Sequence, residues 1–295
     1  MAKQTINIGT SANDGTGSTL RAAFDITNDN FTELYDGTGG LLHKIEGTNF
    51  TGSLLIGHST TGTLSAAIKN TGVGVLALDA LTSGDSNTAI GYNAGSNINT
   101  GSDNVLIGTQ AGDALTSGSN NVAIGINALS AEDGHGKNIA IGTEALKVQN
   151  AGEDAQNVAI GNQSGKSITT GVSNTIVGGL AGDSLTTGSN NVAIGKSALS
   201  AETDGNKNVA IGLNALQVAN GGNSNVALGR HAGVSVSTGD QNTIIGTNAG
   251  DAVTTGSNNT IIGFDAAASA VDVSNEVTIG NSSVANVRIP SDSTL

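Results

Sequence analysis

Asn121-Val122-Ala123-Ile124-Gly125 is one copy of a five-residue motif that recurs along most of this 295-residue sequence. Successive copies begin 17 residues apart, except for one step of 19 residues between Asn138 and Asn157. The copies begin at Ser53, Asn70, Asn87, Asn104, Asn121, Asn138, Asn157, Asn174, Asn191, Asn208, Asn225, Asn242, Asn259 and Glu276. The sequence therefore predicts fourteen repeats, which together span residues 51–285.

A 17-residue unit is too short to bury an apolar face alone, whereas stacked copies cover one another. The motif is a short β-like run, and the copies are separated by turn segments rich in Gly, Ser and Asn, such as residues 116–120. We therefore expect an all-β fold, a parallel β-solenoid in which each repeat is one coil. At about 4.8 Å per coil, the rod would be roughly 60 to 65 Å long.

A slower rhythm overlies the 17-residue repeat. An Ala usually stands three residues after the motif Gly, and the residue after it alternates in pairs between Gly and Leu. The order is Gly95, Gly112, Leu129, Leu146, Gly165, Gly182, Leu199, Leu216, Gly233 and Gly250. The duplicated unit is therefore interpreted as four coils long, and the single 19-residue step as a two-residue loop insertion near residues 149–154.

The strand of each coil is apolar at three successive positions. Strand alternation sends the first and third of these, such as Val122 and Ile124, to one face. We expect this face to fill the coil and the middle residue, such as Ala123, to point outwards. The middle residue is also apolar, and runs of this kind mark strands buried on both faces. The outer stripe therefore predicts that copies of the chain associate side by side, without choosing between two and three copies.

The first Asn and the last Gly of each motif are the candidate structural residues. A stacked Asn amide can bond the backbone of adjacent coils, and the Gly can adopt backbone angles that side chains disfavour. Representative members are Asn87, Gly91, Asn104, Gly108, Asn121, Gly125, Asn191, Gly195, Asn259 and Gly263.

The composition argues against several classes of protein. The net charge is −13, so nucleic acid and anionic membranes are not expected partners. The aromatic fraction is 2%, which is low for a large globular core or for a sugar-binding groove. There is no Cys, and no apolar run approaches the length of a membrane span. We expect no cofactor and no membrane insertion.

The Asn-x-Ala-Ile-Gly-x-x-Ala pattern resembles the head domain of the trimeric autotransporter adhesins. The resemblance covers about 230 of the 295 residues. It implies a left-handed parallel β-roll and a homotrimer. The repeat of that family is typically shorter, so the extra residues here should widen one loop in each coil. The polar start of the sequence lacks the apolar segment of a signal peptide, so a complete bacterial autotransporter is not expected.

The segment at residues 1–50 does not repeat. Apolar residues and one Thr are spaced 4, 3, 4 and 3 apart, which predicts a short amphipathic helix at 19–36. This helix either packs on the first coil or forms a trimeric coiled coil that sets the register. The residues of its seam are Leu20, Phe24, Thr27, Phe31 and Leu34.

The opening stretch, from Ala2-Lys-Gln-Thr-Ile-Asn-Ile-Gly-Thr10 to Asn28-Asp-Asn-Phe-Thr-Glu-Leu-Tyr35, resembles the start of bacteriophage tail-fibre and other virion structural proteins. In such proteins the N-terminus docks the fibre to the tail or capsid, and the distal part meets a host receptor. The resemblance implies a virion fibre that assembles in the host cytoplasm. Residues 286–295 follow the last repeat and are interpreted as a C-terminal tail.

No catalytic or metal site is predicted. The histidines His43, His58, His135 and His231 share no metal-ligand spacing and are interpreted as solvated. Acidic residues in the corner loops could form a glycosidase pair but are also interpreted as solvated charges. Examples are Glu132, Asp133, Glu153 and Asp154. The alternatives to a phage fibre are a fragment of a bacterial trimeric adhesin and an ice-binding solenoid. An enzyme is the least favoured class.

Overall fold

The computed structural model describes residues 43–45, 53–56 and 66–286. The N-terminal segment lies outside this part of the chain except for residues 43–45, and the C-terminal tail lies outside it except for residue 286. The described residues contain no helix. The helix predicted at 19–36 falls outside them, together with Leu20, Phe24, Thr27, Phe31 and Leu34.

In the described part of the chain, fifteen strands of three residues each form a single sheet, in which they follow one another in chain order. Each motif supplies one strand, because its three apolar residues lie between the motif Asn and the motif Gly. The strands are β1 His43–Ile45, β2 Leu54–Ile56, β3 Thr71–Val73, β4 Thr88–Ile90, β5 Val105–Ile107, β6 Val122–Ile124, β7 Ile139–Ile141, β8 Val158–Ile160, β9 Thr175–Val177, β10 Val192–Ile194, β11 Val209–Ile211, β12 Val226–Leu228, β13 Thr243–Ile245, β14 Thr260–Ile262 and β15 Val277–Ile279.

The sheet is parallel from β2 to β15, and β1 pairs antiparallel with β2 at one edge. Equivalent motif positions lie opposite each other, so that Val192 pairs with Val209 and Ala193 with Ala210. The predicted parallel β-solenoid with a 17-residue repeat is confirmed. Its fourteen parallel strands are joined by thirteen coils, one fewer than the number of motifs.

The 19-residue step leaves the register of the sheet intact. Ile139 of β7 still pairs with Val158 of β8, so the two extra residues are accommodated between the strands. The residues at 152–154 are exposed, and a side chain at Gly152 would meet nothing within 4 Å. The insertion therefore bulges outwards from the loop, where the sequence placed it.

The expected orientation of the strand residues is wrong. In β6, Ala123 at the middle position is fully buried, whereas Val122 and Ile124 on either side are only partly buried. The same pattern holds in every strand from β3 to β14. The middle row therefore fills the coil, and the first and third rows form the outer face of the sheet.

The motif Asn explains this orientation. Asn121 is fully buried, and strand alternation places a residue two positions later on the same side of the sheet. Because the amide must point into the coil to reach its partners, Ala123 points inwards as well. The coil interior is consequently built from the middle strand residue and from the Ala, Leu and Ile residues of the following turns.

The pairwise alternation of Gly and Leu compensates for the size of the middle strand residue. Where that residue is Leu106, the nearby positions are Gly95 and Gly112. A Cβ on Gly95 would lie 2.6 Å from one methyl carbon of Leu106, and a Cβ on Gly112 would lie 2.7 Å from the other. In the next coil the order is reversed, with the small Ala123 and the large Leu129. This alternation keeps a narrow core filled without aromatic residues.

Replacing Leu106 with Ala should leave a cavity between two glycines that cannot fill it. We expect a loss of about 2 to 5 kcal/mol in the free energy of unfolding, measured by chemical denaturation at constant protein concentration. Val148→Ala is the control, because Val148 is 40% exposed and its loss should cost less than about 1 kcal/mol. Equal effects of the two substitutions would contradict this description of the core.

Candidate functional site

The motif asparagines form a continuous ladder inside the solenoid. The backbone N–H of Asn191 donates to Oδ1 of Asn174 at 2.9 Å, and Oδ1 of Asn191 in turn accepts the backbone N–H of Asn208 at 2.9 Å. The side-chain amide of Asn191 donates to the carbonyl of Gly205 in its own coil at 2.9 Å. Each Asn therefore links two coils and closes the corner of one.

The backbone link of this ladder is unbroken from Asn70 to Glu276. Every motif Asn in this range donates its N–H to the residue one coil earlier, including Asn157 across the 19-residue step. At its first end, Asn70 donates to the hydroxyl of Ser53 at 2.7 Å. At its last end, Glu276 donates to Oδ1 of Asn259 at 2.9 Å.

Glu276 is the last member of the ladder among the described residues, and its carboxylate has no N–H with which to make the second bond of the motif Asn, the one to a carbonyl of its own coil. Its oxygens instead accept hydrogen bonds from the hydroxyl of Ser269, the hydroxyl of Thr278 and the backbone N–H of Ser269. These hydrogen bonds hold the pKa of the Glu276 carboxyl below its usual value. Ser53 and Glu276 are thus the chemical ends of the same row.

Two geometric features require glycine at the end of each motif: the backbone φ angle and the close approach of the next coil. Gly91, Gly108, Gly125, Gly195 and Gly263 have φ between 131° and 139°, a region that side chains rarely adopt. A Cβ at Gly91 would also lie 2.5 Å from the carbonyl oxygen of Gly108 in the next coil. The glycine row therefore lets the coils approach each other as closely as the parallel strands require.

A second polar ladder was not predicted from the sequence. It lies two residues before the motif Asn and runs in the opposite sense: where the following coil has Ser, Asn or Asp in this row, the backbone N–H donates to that side chain, and the row is interrupted at Gly136, Ala155 and Val172. Ser102 N–H donates to Oγ of Ser119 at 3.0 Å, and Asn206 N–H donates to Oδ1 of Asn223 at 2.9 Å. The varied identity of this row, which includes Ser, Asn and Asp, hides its common role as an acceptor.

The outer face of the sheet carries one wholly apolar row beside a row of Val, Ile and Thr. From β3 to β15 the first strand position is always Thr, Val or Ile, and the third is always Val, Ile or Leu. Ile90, Ile194, Leu228 and Ile262 are between 37% and 45% exposed. We call these two rows the outer stripe. The sequence predicted an outward-facing apolar stripe, but the outer stripe consists of the other strand positions.

The acidic residues and histidines divide into two groups. Asp133, Glu153 and Asp154 are exposed, as expected. Glu132 is fully buried, so its interpretation as a solvated charge is wrong, and burial raises the pKa of its carboxyl. His135 lies 3.5 Å from Glu132, measured from Nδ1 to Oε1. His231 is half-buried, with Nε2 3.4 Å from the side-chain amide nitrogen of Asn214. The side chains of His43 and His58 are outside the description.

Glu132 is buried because of its place in the repeat. Eleven residues after the motif Asn, most coils insert an aliphatic side chain into the core, and Glu132, Gln149 and Glu202 occupy this row instead. The aliphatic members are Leu81, Ile98, Leu115, Ile168, Leu185, Val236 and Val253. Numbering the repeat from its Asn would have identified this exception from the sequence.

Because the comparisons with known proteins found no match, the class of this protein is assigned from its fold alone. No protein-family model, curated protein or solved structure matches the chain. Among the described residues, no helix is long and apolar enough to cross a membrane. The fold defines the chain as a β-solenoid repeat protein with an inner asparagine ladder and an outer apolar stripe.

Replacing Asn191 with Ala should destabilise the rod, because the N–H of Asn208 and the carbonyl of Gly205 both lose their partner. We expect a loss of about 2 to 4 kcal/mol in the free energy of unfolding. Asn162→Ala is a matched control on an exposed Asn and should change stability by less than about 0.5 kcal/mol. Chemical denaturation followed by circular dichroism measures both, and a neutral Asn191→Ala would refute the role of the ladder.

Proposed function

We propose that this chain forms a structural fibre of a bacteriophage virion. Three copies assemble in the host cytoplasm, and residues 51–285 of each form the shaft. The N-terminal segment docks to an attachment protein on the tail or capsid, and the distal part contributes to attachment at a host surface receptor. The work of such a protein is mechanical and adhesive, and it is not an enzyme.

The outer stripe is the observation that carries this proposal. It crosses the strands from β3 to β15, so twelve spacings of about 4.8 Å give it a length of about 58 Å, and its two rows are about 7 Å apart. Its projected area is therefore roughly 400 Å², a size at which the largest apolar patch of a soluble protein is often functional. A lone chain would leave this band in water.

The partner that fits the outer stripe best is another copy of the chain. Its apolar residues repeat once per coil, so a rigid partner meets every row only if it has the same axial spacing. A second copy aligned with the first has this spacing by construction, and a closed ring of copies leaves no stripe uncovered. The number three comes from the resemblance of the motif to the trimeric autotransporter adhesins.

The uniformity of the coils supports the role of a spacer. From β2 to β15 the strands remain in register, and the asparagine ladder links the coils from Ser53 to Glu276. A rod held by identical contacts at each step resists bending equally along its length. The resemblance of the first 35 or so residues to phage virion proteins distinguishes this reading from an adhesin fragment.

Ice binding is disfavoured by the threonines of the turn. The hydroxyls of Thr116, Thr186 and Thr254 donate to backbone carbonyls of the next coil at 2.8 to 3.0 Å. Asp133 and Asn220 stand in the same row, so it is not a regular array of Thr. The row therefore satisfies the backbone and presents no repeated lattice of free hydroxyls.

Lysine substitutions in the outer stripe should dissociate the assembly, because each places a charge in every copy of the apolar interface. The wild-type chain should scatter light with a mass of about three times 28.8 kDa. Ile194→Lys combined with Ile211→Lys should shift the mass to that of one chain. The measurement is light scattering coupled to size exclusion.

Val218→Lys is the control for this experiment. Val218 is 44% exposed, comparable with Ile194 at 37%, but it lies outside the outer stripe. It should leave the trimeric mass unchanged. A wild-type chain that elutes as a monomer, or a double variant that keeps the wild-type mass, would rule out the outer stripe as the trimer interface.

A further inference from the structure

Three departures from the repeat coincide in one coil corner. Glu132 replaces an aliphatic core residue, His135 occupies a position that is Gly in most other coils, and the following coil carries the two-residue insertion. In a chain whose other coils are nearly interchangeable, this coincidence marks a specialised place. It lies away from the outer stripe, and its argument is independent of the oligomeric state.

The insertion makes room for His135. At the equivalent position of the preceding coil, a Cβ on Gly118 would lie 2.3 Å from the carbonyl oxygen of His135. The same contact forbids side chains along most of this row, because each glycine is covered by the next coil. Above His135 the chain takes a wider path, and the backbone N–H of Gly136 donates to Oδ1 of Asp154 at 3.0 Å. This wider path leaves room for the imidazole of His135.

The carboxylate of Glu132 is poorly satisfied when compared with that of Glu202, its equivalent one four-coil unit later. Oε1 of Glu202 accepts backbone N–H groups from Thr203, Asp204, Gly205 and Gly221 at 2.7 to 3.2 Å. Oε1 of Glu132 accepts a single backbone N–H, that of His135, at 3.2 Å. Both glutamates are fully buried and Oε2 of each lacks a partner, so the difference between them is that Oε1 of Glu132 has three fewer donors than Oε1 of Glu202.

Two buried atoms of this corner lack a hydrogen-bond partner among the described residues. They are Oε2 of Glu132 and Nδ1 of His135. One ligand atom each from Glu132, Asp133 and His135 lies within 4.8 Å of the other two. The 3.5 Å between Nδ1 of His135 and Oε1 of Glu132 is close to the roughly 3.3 Å between two ligands bound at about 2.0 Å in tetrahedral geometry.

We propose that Glu132, Asp133 and His135 bind one divalent transition-metal ion of the zinc class. An imidazole with two carboxylates is a donor set that suits Zn²⁺, and water would complete the coordination. The imidazole disfavours Ca²⁺ and Mg²⁺, which prefer oxygen ligands. The two carboxylates match the charge of the ion, and the nearby amine of Lys137 is paired with Asp154 at 2.7 Å.

The test titrates the full-length chain, stripped of metal by a chelator, with zinc chloride in a calorimeter. The wild-type chain should bind about one Zn²⁺ per chain and unfold at a higher temperature when it is loaded. His135→Gln and Asp133→Asn should each lower the affinity at least about tenfold. Without metal, both variants should keep the circular dichroism spectrum of the wild type, because neither side chain belongs to the core.

His231→Gln is the matched control, since it removes a half-buried histidine outside this cluster and should retain full affinity. Saturable binding that is lost in His135→Gln and retained in His231→Gln would support the site. Substoichiometric binding by the wild type, or equal affinity of His135→Gln and the wild type, would overturn it. Calcium chloride bound as tightly as zinc chloride would overturn the assignment to the zinc class.

Discussion

The hydrogen bond from the backbone of one motif Asn to the side chain of the previous one is the constraint on which the rest of this structure depends. It directs the side-chain amide into the coil. Because strand residues alternate between the two faces, this fixes which of the following three residues point inwards and which point outwards. Ala123 then points inwards with Asn121, and Val122 and Ile124 point outwards. The location of the core and of the apolar outer surface both follow from where one polar side chain finds its partners.

The ladder also sets the room that remains for the core. With the Asn and the middle strand residue inside, each coil has a narrow interior that aliphatic residues fill in alternating sizes. Leu106 between Gly95 and Gly112 shows how closely these sizes are matched. The departures at Glu132 and His135 are therefore costly in this setting, and the longer coil that follows provides the room for the side chain of His135.

The spacing of the motif was sufficient to predict the parallel solenoid, the position of the strands and the site of the insertion. It was not sufficient to predict which strand face points inwards, because both faces are apolar and only the buried Asn breaks the symmetry. The second ladder escaped notice because Ser, Asn and Asp share a hydrogen-bonding role rather than an identity. Glu132 was expected to be exposed because it is charged. Its position in the repeat, a row that is aliphatic in most coils, is what explains its burial.

The most direct measurement of the central claim is native-state hydrogen exchange of the backbone amides, followed by mass spectrometry. The N–H groups of Asn104, Asn191 and Asn242 are held by a buried side chain in the adjacent coil, so they should exchange only when several coils open together. We predict that they are among the slowest amides of the chain, far slower than those of the exposed loop at 152–154. Exchange of the motif amides as fast as that of the loop would contradict the account.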